Sequence, residues 1–151
     1  MTRLDELEML KRDCRSLVRQ RALVSAGAAI VPVPLFDMAV DAGILMKLIP
    51  DISQRFGLAP EGIDQMDPER REKIWRIIRE RGSQLIGIVV TREIVRKTFM
   101  DFAGKLASRQ VAKFVPFGGQ IVAAGLGYFV MRKIAYRHID DCYAVALAAE
   151  R

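Results

Sequence analysis

Two stretches constrain this chain more than any others: "IVPVPLFDMAVDAG" (Ile30 to Gly43) and "KFVPFGGQIVAAGLG" (Lys113 to Gly127). Each brings an apolar run to a Val-Pro corner and then opens a helix rich in small residues. Proline lacks an amide hydrogen and has a fixed φ, so it stops one helix and suits the first turn of the next. Helices joined by so short a corner pack back on each other as hairpins. Strand signals are nearly absent, because the Val/Ile runs are short and fall inside helical spacing. The expectation is an all-α fold: a compact helical bundle of about five to six helices with two proline-cornered hairpins, one domain over 1–151.

The helices can be placed from their punctuation. Thr2 with Asp5 makes an N-cap start, and Leu4, Leu7, Leu10, Cys14, Leu17 and Val18 recur at three-to-four spacing. This predicts a basic amphipathic helix over about 2–30, with Lys11, Arg12, Arg15 and Arg19 on its wetter side, ended by Pro32. Pro34 opens a second helix that Pro50 kinks or divides, with Gly57 as its terminal cap before the polar loop "GLAPEGIDQMDPER". Asp67-Pro68-Glu69 is the best helix start in the chain. From there one long helix, or two joined near Gly82, runs to Phe102, and "AGKLASRQVAKF" continues helical to Pro116. A last apolar helix reaches about Tyr136, and "HIDDCYAVALAAER" either continues it or forms a short final one.

Small residues line helix faces at four-residue spacing: Gly119, Ala123 and Gly127 most clearly. Gly104/Ser108/Ala112, Ser83/Gly87/Thr91 and Ala39/Gly43 repeat the pattern. Such lines let helix axes approach closely, in lipid or in water. A membrane span needs about 20 consecutive apolar residues. Phe114 to Met131 contains Gln120, glycines and Pro116, and Ala22 to Met46 contains Asp37 and Asp41. Buried core, interfacial hairpin insertion and a true span are the readings, in that order.

The formal charge is +6, with Arg and Lys clustered at 11–21, 70–81, 92–113 and 132–137 and acid gathered over 37–69. That asymmetry favours an anionic partner; solvated outer faces are the plain alternative. Cys14 and Cys142 are the two cysteines, without a pairing pattern, which suits a reducing, cytoplasmic setting. The charged first twenty residues predict no signal peptide.

Chemistry-bearing constellations are few. "PFGGQIVAAG" lacks the Lys-Ser/Thr pair of a phosphate-binding loop and follows a helix, which argues against nucleotide hydrolysis. Asp37 and Asp41 lie one turn apart; they either offset a helix dipole and pair with Arg, or hold a divalent cation. His138 and Cys142, also one turn apart with Asp140 and Asp141 between, make at most half a zinc site. A catalytic Cys–His pair is the other reading, and a polar helix face the plain one. Arg92, Arg96, Lys105, Arg109 and Lys113 give a basic flank suited to lipid headgroups. Nucleic acid fits less well, since Phe99, Phe102 and Phe114 look like core.

"VPVPLFD", the helix ending in "MKLIPDISQRFGL" and the later "FVPFGGQIVAAGLGYFVMRKIA" resemble the uncharacterised helical family numbered 697 among domains of unknown function, over about 22–136. The second half is also similar to the family of the EcsC protein. The resemblance implies an all-helical module often fused behind Era-like or septin-related GTPase domains, or found in bacterial inner-membrane proteins. Its Pro, Asp and Gly positions carry over to Pro32, Pro34, Asp37, Gly57, Pro116 and Gly119 as structural corners, and it brings no catalytic residue. The sequence holds no GTPase domain, so the module is expected to act alone or with a separate partner.

The leading expectation is therefore a non-enzymatic module, without cofactor or metal, cytoplasmic and peripheral to the inner membrane. Lys105, Arg109 and Lys113 would meet the anionic surface, with Val31 to Phe36 and Phe114 to Phe117 as anchors. The second is a soluble adaptor for a protein partner such as a small GTPase, with a homodimer as one form. The third is an enzyme or metal-binding protein using Asp37/Asp41 or His138/Cys142.

Overall fold

The structure, a computed structural model, describes residues 2–28, 36–83, 85–107 and 119–151, with side chains described outside 23–42, 99 and 103–128. Its elements are α1 (Arg3–Ala28), α2 (Phe36–Arg55), α3 (Pro60–Asp64), α4 (Pro68–Arg81), α5 (Arg92–Ala107) and α6 (Gly119–Ala149). No strand occurs among the described residues. The all-α bundle expected from the sequence is what forms.

The helix starts follow their caps. Thr2 Oγ1 accepts from the Asp5 amide at 3.2 Å while Asp5 Oδ2 accepts from the Thr2 amide at 2.9 Å, a reciprocal capping box. Asp67 Oδ1 accepts from the Arg70 amide at 2.8 Å, with Pro68 at the first helical position. Thr91 Oγ1 does the same for the Ile94 amide at 3.3 Å at the start of α5. The helix ends follow their glycines. Gly57 and Gly82 both take φ +73°, and the Gly82 amide donates to the Ile78 and Arg79 carbonyls. The break at Gly82 therefore gives two helices where one long helix was the alternative.

Three details correct the sequence expectation. Of the two outcomes expected at Pro50, a kink or a division, division does not occur: α2 runs to Arg55 as one helix with Pro50 on its exposed side. The missing hydrogen bond is offset by burial of Leu48, Ile49 and Ile52 on the opposite side. The polar loop after Gly57 contains α3, opened by Pro60 and holding the fully buried Ile63. The line Ser83/Gly87/Thr91 is not a helix face, because the chain between α4 and α5 is irregular and Gly87 takes φ +78°.

α6 is the spine, 31 residues long and packed against α1, α2, α4 and α5. The tail beyond Tyr136 continues this helix. Val130, Ile134, Ala135, Ile139, Cys142 and Val145 are all buried. Leu7, Cys14, Val18 and Ala22 of α1 and Leu45, Ile49 and Ile52 of α2 meet them in one core. Leu4, the first of the expected apolar stripe, is half exposed. α1 and α6 are antiparallel: Arg3 pairs with Glu150, and Arg15 with Asp140. Along α1 and α2, Cys14 is under the influence of Asp51 and Arg55, whereas Arg21 faces Ile44 and Lys47 across a cleft. These are antiparallel as well. Hence α1 and α2 lie antiparallel, and α5 packs against α6; Pro32, Pro34 and Pro116 lie outside the described residues.

Candidate functional site

Two regions carry polar groups in arrangements that need explanation. The first is buried. His138 in α6 is 1% exposed, and its Nε2 shares a 2.8 Å hydrogen bond with Ser53 Oγ of α2. Cys142 Sγ, one turn on, lies 3.5 Å from the same nitrogen. Nδ1 has no hydrogen-bond partner among the described residues. The sequence reading of a polar helix face fails here, because α6 is enclosed by neighbours and this edge of it points into the core. Burial holds His138 down at about 4, opposed by the Ile49 carbonyl, so the imidazole is neutral at physiological pH. Burial pushes the Cys142 thiol up, helped by the charge of Asp141. Cys14, arriving from α1, is pushed up to about 11, again mainly by burial. Nucleophilic thiols need the opposite shift and access to substrate. The cluster is buried throughout. It supplies a directional contact between α2 and α6 inside an apolar core.

A cleft of about 150 Å³ adjoins it, between Thr98, Asp101 and Phe102 of α5 and Ile134, Arg137 and Asp141 of α6. Asp141 is already held by Arg81, Nε to Oδ1 at 2.9 Å. Among the described residues no group of three or more His, Cys, Asp or Glu is placed to hold a metal ion.

The second region is on the surface, along the α1/α6 seam. Lys11 Nζ lies 4.5 Å from the Tyr143 ring centroid, Arg15 stacks 5.5 Å from Tyr136, and Arg132 lies 5.0 Å from that same ring. Lys133 Nζ is 5.3 Å from the ring of Phe129, which is itself 45% exposed. The Tyr143 hydroxyl donates to Glu8. Beside this seam, between α4 and α6, opens a groove of about 730 Å³, lined by Arg81 of α4 and by Phe129, Arg132, Lys133, Tyr136 and Arg137 of α6 together with Asp140 and Asp141. Both acids are engaged: Asp140 by Arg15 at 3.1 Å and Lys11 at 3.7 Å, Asp141 by Arg81. The groove is thus basic with an apolar ring at its edge. Cations resting on aromatic faces stay solvated on their other side, so this surface can meet an anion without first breaking buried pairs.

No family model, no curated protein and no solved structure matches this chain.

The residues singled out from the sequence fall unevenly on this picture. Gly57 ends α2 in the left-handed conformation that favours glycine. Asp37 is the second residue of α2 and Gly119 the first of α6. Gly119, Ala123 and Gly127 all lie in α6, so their four-residue spacing puts them on one face; their surroundings lie outside the described side chains. Lys105 is in α5, one turn beyond Phe102. Arg109 and Lys113 lie outside the described residues. Sequence reasoning missed Phe129 and the stacked Lys11, Arg15 and Tyr136. The signal available for Phe129 was its place at the end of an apolar run, directly before Arg132-Lys133.

Proposed function

We propose that the chain is a non-enzymatic helical module that docks on an anionic membrane surface, of which the inner leaflet of a bacterial membrane is the prime example. The observation that carries this reading is the groove in which exposed Phe129 sits beside Arg132, Lys133 and Arg137. Each basic residue held near an anionic leaflet contributes about 1 kcal/mol, and an aromatic ring at headgroup depth adds a term that salt does not screen. The resemblance to family 697 points the same way, since its members include inner-membrane proteins.

Flotation of the purified protein with neutral or anionic vesicles, at low and high salt, tests the reading. The expected result is binding to anionic vesicles only, weakened by salt and reduced tenfold or more by Lys133→Glu/Arg137→Glu. Equal binding by that variant, or none by the wild type, sinks it. The second reading, an adaptor for a protein such as a separate GTPase, is favoured by one feature. Val89, 71% exposed, stands beside a largely apolar groove of about 380 Å³ between Pro50, Gly57, Pro60 and the 88–90 segment.

A further inference from the structure

The groove between α4 and α6 holds more positive charge than its own acids answer. Asp141 accepts from Arg81 Nε at 2.9 Å, and Asp140 is met from outside the groove by Arg15 and Lys11 of α1. Lys133 and Arg137 line the same groove, are exposed, and make no ion pair among the described residues. Arg137 also borders the 150 Å³ cleft with Asp101, yet those two do not pair. Lys133 and Arg137 are one turn apart on α6, a spacing at which like charges repel and weaken a helix. An anion between them removes that repulsion. Arg81, arriving from α4, commits only Nε to Asp141, so the donors on its two terminal nitrogens remain for a ligand.

Shape and donor type narrow the anion that suits these groups. The groove, at about 730 Å³, falls within the range of about 300–1,000 Å³ typical of small-molecule sites. That is far more than a bare oxyanion fills, so the ligand carries a body as well as a charge. Guanidinium groups offer paired donors in one plane and match phosphate oxygens two at a time, while lysine adds a compact charge. A phosphate monoester carries about −1.5 to −2 charge at pH 7. It balances Lys133 and Arg137 together, whereas a phosphodiester carries a single charge and leaves one of them unanswered. Phe129, 45% exposed at the edge of the groove, offers an apolar face to the rest of the ligand.

We infer that the α4/α6 groove is a site for a phosphate monoester, held by Arg81, Lys133 and Arg137, with Phe129 against the body of the ligand. This rests on the membrane reading above for its setting, in which the monoester is the headgroup of a phosphatidic acid, and adds the headgroup chemistry that the groove selects. The same group on a soluble molecule such as glycerol 3-phosphate would fill the groove without a membrane.

Flotation tests this with vesicles of phosphatidylcholine containing either phosphatidic acid or phosphatidylglycerol, adjusted to equal zeta potential. The wild type should bind the monoester vesicles about fivefold or more tightly than the diester vesicles. Arg137→Lys keeps the charge and loses the planar fork. It should bring the two vesicle types level while leaving phosphatidylglycerol binding unchanged. Arg12→Gln removes a charge from an exposed position on α1 and should leave the preference intact. Calorimetry with glycerol 3-phosphate supplies the membrane-free arm. Equal binding of both vesicle types by the wild type, or a preference that Arg137→Lys does not move, overturns this inference and leaves the membrane reading standing. Binding of glycerol 3-phosphate that Arg137→Lys abolishes, without flotation on either vesicle, overturns the membrane reading and upholds the site. No binding to either vesicle or to glycerol 3-phosphate overturns both.

Discussion

Single residues decide how the irregular segment between α4 and α5 closes. A Cβ built on Gly87 would lie 2.5 Å from Cη2 and 2.9 Å from Cζ3 of Trp75, and the backbone there has φ +78°. Both conditions exclude other residues: the conformation is strained for any L side chain, and a rigid indole ring fills the space. Gly82 has nearly the same φ but nothing within 4 Å of its Cβ position. Gly87→Ala should therefore cost about 2–4 kcal/mol and Gly82→Ala about 1 kcal/mol, read from urea unfolding midpoints. Equal losses would mean that the indole swings away freely and does not hold the segment down. From the sequence Gly87 looked like one of a line of small helix residues. Periodicity cannot tell a small residue that admits a neighbouring helix from one that admits a ring, because the ring belongs to Trp75, on another element.

At the scale of elements, what was legible was what is local. Asp67-Pro68 opens α4 and Gly82 closes it because the cap bonds join residues three or four apart. Asp67→Ala should cost about 1 kcal/mol in denaturant unfolding, with Asp67→Asn recovering most of it because the acceptor oxygen remains. If Asn proves as costly as Ala, the charge facing the helix dipole matters more than the hydrogen bond. What was illegible depends on partners far away in the chain. Pro50 looks like a divider until Leu48, Ile49 and Ile52 are seen packed in the common core. Five-residue α3 has too few positions to show a period, and only the burial of Ile63 accounts for it. The basic groove suffers the same way. Its charge run at 132–137 is plain in the sequence, yet the Arg15–Asp140 bond that shapes it spans 125 positions.

For the whole molecule, the buried imidazole links stability to acidity. His138 falls from an ordinary 6.5 to about 4 on folding, so the unfolded chain takes up this proton first as pH drops. The neutral ring's stabilisation is fully present above 6.5, is lost as pH falls from there to about 4, and then levels off, amounting to about 3 kcal/mol. His138→Gln should flatten that part of the stability–pH curve, compared with the wild type by urea titration at a series of pH values. Identical slopes would show that the native ring is already solvated enough to protonate. A second consequence comes from α6, whose 31 residues extend for about 46 Å without a joint. This rod packs against α1, α2, α4 and α5. At its C-terminal end the Ala149 carbonyl accepts from Lys73 Nζ of α4 at 3.2 Å, which ties the end of the rod to a second element. A displacement of α6 at either end would therefore be shared with the helices packed along it.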